Sequence, residues 1–344
     1  MYQYTNVPIS STEHRKGRKS LILVNSRLFQ WGFLFSVLFS HSCSSPKNIP
    51  PATFSEFDEV LGILKKNSFY RNSINWQDFQ SKVDSIQSLH RPDSLQVFCT
   101  YFRLNEDKHS FLLTPKTTWL ESFTKPEPVP EATPAIEAYM TKERVAVIKL
   151  QYCGWDTAVF TPFVAKIRDS IATLNDNNPD GWVLDIQDNE GGNMWPALAG
   201  LFPFFNTDTI GYDVYPDSTY YPLFFQSDRV NPTPEFSFFY PEWPNKNILK
   251  DKKLAILINS KTASAAEGIA HAFKGQKNVK FFGQPTAGYS TATMGYPLRN
   301  GKIFVISIAL MATRDKIVYP EKRIEPDFFT IQEPRERAIK WILD

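Results

Sequence analysis

The sequence predicts an α/β protein whose mostly parallel sheet follows a small helical region. Between residues 145 and 282, short apolar runs of strand length alternate with helical patterns, which implies parallel strands joined by crossover helices. Residues 54 to about 113 instead repeat apolar side chains at helical spacing. The Pro-rich stretch KPEPVPEATP, residues 125–134, lies between the two patterns and cannot form a regular element.

Composition places the chain among ordinary globular proteins. Its 344 residues are 42% hydrophobic, which is ample for a large core beside a smaller one. The net charge is +2 with both signs interspersed, so we expect no nucleic-acid partner. We divide the chain into a signal peptide (1–42), a tether (43–53), an N-terminal helical domain (54–124), a linker (125–144) and an α/β domain (145–344).

The N-terminal segment has the features of an export signal. Basic residues precede the apolar run LFQWGFLFSVLF, which is too short to span a bilayer comfortably but suits a signal-peptide core. Cys43 follows shortly after this run and resembles the acylated cysteine of a bacterial lipoprotein signal. We expect an exported bacterial protein of the periplasm or outer membrane, held to the membrane by a lipid on Cys43. Simple cleavage and an uncleaved anchor are the alternatives.

The helical domain contains three amphipathic patterns. Each of the first two places four apolar side chains on one helix face, namely Phe57, Val60, Leu61 and Leu64, then Trp76, Phe79, Val83 and Ile86. A third run covers residues 94–104, and the segment NEDKHSF, residues 105–111, ends the region.

The α/β domain is predicted to alternate strands and helices in order. Strands are expected at 145–150, 181–186, 254–258 and 279–282, with helices at 163–174, 197–202, from Ser264 onward, and at 333–343. Residues 206–247 are aromatic and Pro-rich, which predicts loops and short strands. A hairpin is expected at 294–298 and 303–310, because Asn300-Gly301 is a strong turn signal.

Ser264 lies where the buried strand 254–258 gives way to a helix. A serine at the carboxyl end of a strand is exposed and faces the positive end of the helix dipole, which is the setting a nucleophile needs. Ser264-Ala265-Ala266-Glu267 also fits a capping box, in which the serine only satisfies a helix N–H.

Backbone N–H groups at two strand ends suit an oxyanion hole. Gly191-Gly192 follows the strand 181–186, and adjacent glycines let backbone N–H groups approach a ligand. Together with the Ala265 N–H, they could bind the oxyanion of a tetrahedral acyl-transfer intermediate. A tight turn that needs positive φ is the alternative interpretation of the two glycines.

Elimination among the five histidines favours His109 as a base. His14 and His41 lie in the signal segment, and His90 precedes Arg91-Pro92 in an expected surface loop. His271 follows Ser264 by seven residues on one helix, about 10 Å along the axis, so the two cannot touch. His109 lies in the sequence EDKHS, although a lone histidine is more often a solvated or satisfied polar residue.

Four ordered segments resemble peptidase family S41, the C-terminal processing, tail-specific and tricorn-like proteases. They are DIQDNEGG, TASAAE, GQPTAGYS and RIEPD, and they span nearly all of residues 145–327. The helical region resembles the branch that includes interphotoreceptor retinoid-binding protein. The resemblance implies a ClpP/crotonase-like α/β core, a nucleophile at Ser264, and oxyanion donors at Gly191, Gly192 and Ala265.

The resemblance also suggests the catalytic base. The processing proteases use a lysine after the position of Thr286, where this chain has Gly288-Tyr289-Ser290, so a serine–lysine dyad is not expected. The tricorn-like branch uses a histidine oriented by a carboxylate, which His109 and Glu321 match. The chain departs from the pattern at Arg323 and Gln187, and Ser110 follows the histidine instead of preceding it. No PDZ-like insertion is seen between residues 109 and 145.

These observations predict an exported serine-type peptidase that acts on a peptide or protein substrate without a cofactor. Neither Cys99 nor Cys153 has metal-ligand spacing, and the pair is either one disulfide or two buried thiols. A catalytically inactive lipoprotein that holds a peptide or apolar ligand is the main alternative. A glycosidase using Asp185, Asp188 or Glu190 is a third, because such enzymes need two carboxylates across a cleft.

Overall fold

The structure, a computed structural model, describes residues 56–88, 94–113, 136–154, 157–226, 229–233, 236–239, 248–319 and 322–344. The predicted signal peptide, Cys43, the tether (43–53) and Glu321 lie outside the described residues. So do residues 114–135, which include most of the predicted linker. Everything described belongs to one unit of contacts that extends from Thr53 to Asp344.

Seven α-helices and fourteen strands make up this part of the chain. The helices are α1 (Glu56–Asn67), α2 (Trp76–Gln87), α3 (Ser94–Asn105), α4 (Thr157–Asn175), α5 (Met194–Gly200), α6 (Ala265–Phe273) and α7 (Pro334–Leu343). The first strands are β1 (Phe111–Leu113), β2 (Ile136–Met140), β3 (Val145–Leu150), β4 (Gly181–Asp185), β5 (Thr209–Val214), β6 (Tyr220–Gln226) and β7 (Arg229–Thr233). The others are β8 (Phe236–Phe239), β9 (Leu254–Ile258), β10 (Val279–Gly283), β11 (Thr291–Pro297), β12 (Ile303–Thr313), β13 (Val318–Tyr319) and β14 (Phe328–Phe329).

One sheet is the predicted, mostly parallel core. Its order is β14-β10-β9-β4-β3-β2, and all pairs are parallel except β2 with β3. Strand β3 is apolar except at Lys149, because its alternate residues enter different cores. Ile148 packs with α4, α5 and α6 on one face, while Val147 packs with α7 on the other. The α/β class is therefore confirmed.

The second sheet is antiparallel and has eight strands. Its path is β1-β12-β5-β6-β7-β8, with β11 and β13 also paired to β12. The predicted hairpin is present, but β11 begins at Thr291 and β12 continues to Thr313. The Pro-rich region after Asn206 contributes the strands β5 to β8, as the predicted short strands require.

The N-terminal helices pack on this antiparallel sheet. Phe98 and Phe102 of α3 share a hydrophobic cluster with Phe304 and Ile306 of β12. The helical pattern predicted to about Leu113 ends earlier, because residues 111–113 form β1 and pair with β12. Likewise, residues 136–140 of the predicted linker form β2, because they pair with β3 at the edge of the parallel sheet. The helical N-terminal region itself is confirmed.

This arrangement brings three chain segments to one place. Strands β4 and β9 are parallel neighbours, so the loops at their carboxyl ends meet. The loop after α3 reaches the same place, because β1 runs beside β12.

Cys99 and Cys153 are buried free thiols, so the predicted alternative of a disulfide between them is excluded. No helix among the described residues is long and apolar enough to cross a membrane.

Candidate active site

Ser264 is the N-cap of α6 and has an uncommon backbone conformation. Its φ is 54° and its ψ is −114°, a region that residues with a side chain rarely adopt. Such strain persists only where neighbouring contacts hold it, and it clusters at functional sites. One such contact ties Ala263 N–H to the Asn189 carbonyl, 3.0 Å away, and so joins the loops after β9 and β4. The serine itself is half-buried and reachable.

The two partners of the predicted capping box have different roles. Glu267 accepts the Ser264 N–H through Oε2 at 3.1 Å, so its half of the box forms. The Ser264 side chain does more than cap its helix, because its Oγ lies 3.0 Å from His109 Nε2, across 155 residues of sequence. The geometry therefore favours the nucleophile interpretation over the capping one.

His109 is held on both sides of its ring. It is 7% exposed, and its Nδ1 lies 2.7 Å from Thr291 Oγ1. The Tyr289 ring packs against the imidazole with 5.3 Å between ring centroids. Burial is the largest influence on this imidazole and lowers its pKa to about 4, against a smaller opposing effect of Asp107. His109 is therefore neutral at pH 7, as a base must be.

The carboxylate closest in the chain to His109 is Asp107, which sequence reasoning did not select. It is 1% exposed and accepts a hydrogen bond from the His109 backbone N–H at 3.1 Å. Hydrogen bonds through two buried hydroxyls, those of Ser307 and Thr291, connect Asp107 to His109 Nδ1. Its place two residues before the histidine was the available signal. The predicted orienting residue Glu321 lies outside the described residues.

The backbone amides predicted for an oxyanion hole differ from one another. Neither the Ala265 N–H nor the Gly192 N–H donates a hydrogen bond to any residue that the structure describes. The Gly191 N–H is already used, because it donates to Asn189 Oδ1 at 3.1 Å. Gly191 instead lets Ser264 come close to its backbone, since a Cβ built on Gly191 would lie 2.9 Å from Ser264 Cβ. Both glycines also have positive φ, as the turn interpretation requires.

The other candidates lie away from this geometry. His271 is buried on α6 against the Tyr319 ring, and neither ring nitrogen has a partner in the described part of the chain. Asp185 ends β4 and accepts the Gln187 N–H, while Asp188 and Glu190 are exposed. Among the described residues, no three His, Cys, Asp or Glu side chains are placed to hold a metal ion. His14, His41 and His90 lie outside the described residues.

A strand-end serine against a neutral histidine, with free amides beside it, is the arrangement of acyl-transfer hydrolases on an α/β core. The chain belongs to peptidase family S41, whose sequence profile matches residues 144–330. The nisin-resistance protein of Lactococcus lactis subsp. lactis is 32% identical over 317 residues, which cover 92% of each chain. Carboxyl-terminal-processing peptidase 2 of Arabidopsis thaliana chloroplasts is 27% identical over 163 residues, or 47% of this chain and 28% of the plant protein.

Solved structures agree with the fold. A lipoprotein from Streptococcus agalactiae superposes with a TM-score of 0.68 over 87% of this chain and 99% of its own, at 22% identity. The photosystem II D1 C-terminal processing protease gives a TM-score of 0.55 over 84% and 97%, at 12% identity. The predicted ClpP/crotonase-like core with a helical N-terminal region is therefore confirmed at the level of the fold.

Proposed function

We propose that the protein is an exported serine-type peptidase that hydrolyses peptide bonds through an acyl-enzyme on Ser264. The observation that carries the proposal is the 3.0 Å contact between Ser264 Oγ and His109 Nε2. Two residues so far apart in the chain meet in hydrogen-bonding geometry at the N-terminus of a helix, where negative charge is stabilised.

The reaction follows from the positions of these groups. His109 Nε2 takes the proton of Ser264 Oγ while the oxygen attacks the carbonyl carbon of the substrate. The carbonyl electron pair moves onto the oxygen, and the Ala265 and Gly192 N–H groups stabilise that charge. When the tetrahedral intermediate collapses, the peptide C–N bond breaks and His109 gives its proton to the leaving amine. Water then attacks the acyl-enzyme by the same route.

The cellular setting is part of the proposal. An export signal that ends just before Cys43 would place the enzyme outside the cytoplasmic membrane, attached through a lipid on Cys43. The Lactococcus lactis relative is named for resistance to nisin, and it aligns with this chain over nearly its full length. We therefore propose peptides that reach the cell surface as the substrate class, and nisin is the first peptide to test.

The proposal predicts an activated serine, which a fluorophosphonate probe labels covalently. We expect the purified full-length protein to be labelled on Ser264, and Ser264→Ala and His109→Ala to lose labelling. Where serine and base act as a unit, removing either costs roughly 10⁶-fold in kcat. Ser260→Ala, which changes an exposed serine in the same loop, is the matched control and should label normally.

Two results separate the peptidase from the binding alternative. Folded wild-type protein that resists the probe, and leaves nisin and a peptide library intact by mass spectrometry, would favour an inactive binding lipoprotein. Labelling without cleavage of nisin would keep the serine hydrolase and exclude only that substrate.

A further inference from the structure

A line of buried polar side chains continues from His109 on the side away from Ser264. His109 Nδ1 lies 2.7 Å from Thr291 Oγ1, which lies 2.8 Å from Ser307 Oγ, which in turn lies 2.8 Å from Asp107 Oδ1. Thr291, Ser307 and Asp107 are each at most 1% exposed. Buried polar groups of this kind are costly unless every member is satisfied, so the line demands an explanation.

The hydrogen bonds in this line can run in only one direction. The Asp107 carboxylate accepts from the backbone N–H groups of His109 and Ser307 and from the Ser110 hydroxyl. The Ser307 hydroxyl also donates to this carboxylate, with 2.8 Å between Ser307 Oγ and Asp107 Oδ1. With its only proton used, Ser307 Oγ accepts from the Thr291 hydroxyl.

The direction reaches the imidazole through Thr291. Because the Thr291 proton points to Ser307, Thr291 Oγ1 is left as an acceptor for His109 Nδ1. His109 therefore carries its proton on Nδ1 and presents a bare Nε2 to the Ser264 hydroxyl. That tautomer is the one a general base requires, and the opposite tautomer would point a proton at the serine.

We propose that Asp107, acting through Ser307 and Thr291, is the carboxylate that orients His109 and fixes its tautomer. The proposal rests on the proposed function and deepens it, because it gives the base a carboxylate from its own loop without requiring Glu321. Asp107, Ser307 and Thr291 are positioning residues, since none of them touches the reacting atoms.

The fold explains how three elements supply the line. Asp107 follows α3, Thr291 opens β11 and Ser307 lies within β12. The pairing of β11 with β12 is irregular here, since Ala292 opposes Ala309 while Thr293 opposes Ser307. Bulges of this kind redirect side chains next to active sites. The Ser307 N–H also donates to Asp107 Oδ2 at 2.9 Å, which fixes the loop of His109 to β12.

A matched pair of substitutions at Thr291 tests the proposal. Thr291→Val keeps the shape of the side chain and removes the hydroxyl, whereas Thr291→Ser keeps the hydroxyl. With the full-length protein and a fluorophosphonate probe, we expect Thr291→Val to slow labelling of Ser264 by about 10²-fold. Thr291→Ser should recover to within about fivefold of wild type. Equal labelling rates in wild type and Thr291→Val would overturn the proposal, and thermal unfolding checks that both variants fold.

A second measurement does not depend on activity. In ¹⁵N-histidine-labelled full-length protein at pH 7, the His109 resonances, assigned by their loss in His109→Ala, should show a protonated Nδ1 and a bare Nε2. Thr291→Val and Asp107→Asn should shift His109 toward the other tautomer, and Thr291→Ser should not. A wild-type protein with the proton on Nε2 would refute the proposed role of Asp107. A wild-type protein with the expected tautomer but no probe labelling would support that role and count against the peptidase function.

Discussion

At the scale of single residues, the site depends on close backbone approach as much as on its side chains. Gly191 has φ of 128°, and its missing Cβ leaves the space that Ser264 occupies. Gly191 therefore makes room for Ser264 without donating its own N–H to the site, since Asn189 Oδ1 already accepts that N–H. A side chain at position 191 meets both a steric and a conformational obstacle.

Gly191→Ala should accordingly slow probe labelling of Ser264 more than it destabilises the fold. The new methyl group would lie 2.9 Å from Ser264 Cβ and push the serine out of line with His109. A misplacement of about 1 Å costs roughly 10²-fold in rate, which the probe-labelling rate would measure. Gly62→Ala is the control, because nothing lies within 4 Å of its added methyl group and alanine favours the helix by about 1 kcal/mol. Normal labelling of Gly191→Ala would contradict the close approach.

The sequence predicted part of this residue set and missed the rest for physical reasons. Ser264 was predicted from its place between a strand and a helix. His109 was predicted because it remained after the other histidines were eliminated. Thr291 and Ser307 gave no such signal, because hydroxyl side chains are ordinary in strands. Their role exists only once β11 and β12 bring them between Asp107 and His109.

At the scale of elements, the N-terminus of α6 is tied to the next loop by one carboxylate. Glu267 is fully buried and accepts hydrogen bonds from Ser264 N–H, Thr286 Oγ1 and the Gly288 and Tyr289 N–H groups. Burial raises the pKa of Glu267, while the bonds from Thr286, Gly288 and Tyr289 lower it. This one residue holds both the strained serine and the loop that packs on His109.

Glu267→Gln should loosen both Ser264 and the loop of Gly288 and Tyr289 that packs on His109. The new amide group replaces an acceptor oxygen with a donor that faces other donors, so at least two of the N–H and O–H groups that donate to Glu267 lose their partner. We expect a loss of about 2–3 kcal/mol in the free energy of unfolding, measured by urea titration, and slower probe labelling. Glu325→Gln changes an exposed glutamate and should stay within about 0.5 kcal/mol of wild type. Equal urea midpoints for the two variants would show that Glu267 does not stabilise the fold by joining α6 to the next loop.

Elements were most predictable where local pattern alone decides them. Strand β9 matches its predicted bounds because it is buried on both faces and ends at a cluster of turn residues. The end of β12 was less predictable, since it pairs with β5 and β13, and the start of β11 depends in turn on its pairing with β12. The strand β1 was missed because only its partner β12, far along the chain, makes residues 111–113 extended.

At the scale of the whole molecule, the approach of His109 to Ser264 depends on packing between distant regions. Phe102 in α3 contacts Phe304 in β12 edge to face, with 6.3 Å between ring centroids. This shared core, together with the pairing of β1 and β12, holds the loop of His109 beside Ser264. No local pattern encodes that approach, which is why the sequence could nominate both residues but not show that they meet.

Buried titratable groups also give the molecule a defined pH dependence of stability. Burial lowers the pKa of His271 to about 3, with a smaller contribution from Lys274, and that of His109 to about 4. Unfolded histidines titrate near 6.5, so between these values the unfolded chain binds more protons than the folded one. Their contribution to stability is complete above pH 6.5 and is lost as pH falls. Asp213 acts oppositely, because burial raises its pKa to about 7 and its contribution is lost as pH rises toward 7.

His271→Leu should therefore flatten the acid side of the stability curve. Each buried histidine contributes a slope of about 1.4 kcal/mol per pH unit across its window, and leucine removes one of them. Urea midpoints from pH 4 to 8 should fall less steeply below pH 6.5 in this variant, while probe labelling at pH 7 is retained because His271 does not contact Ser264. Asp213→Asn is the opposite control. Relative to wild type, this variant should gain free energy of unfolding as pH rises from 4 to 7, because the buried aspartate is gone. If His271→Leu keeps the wild-type slope, His271 is not buried in its neutral form, and the acid sensitivity comes from other groups such as His109.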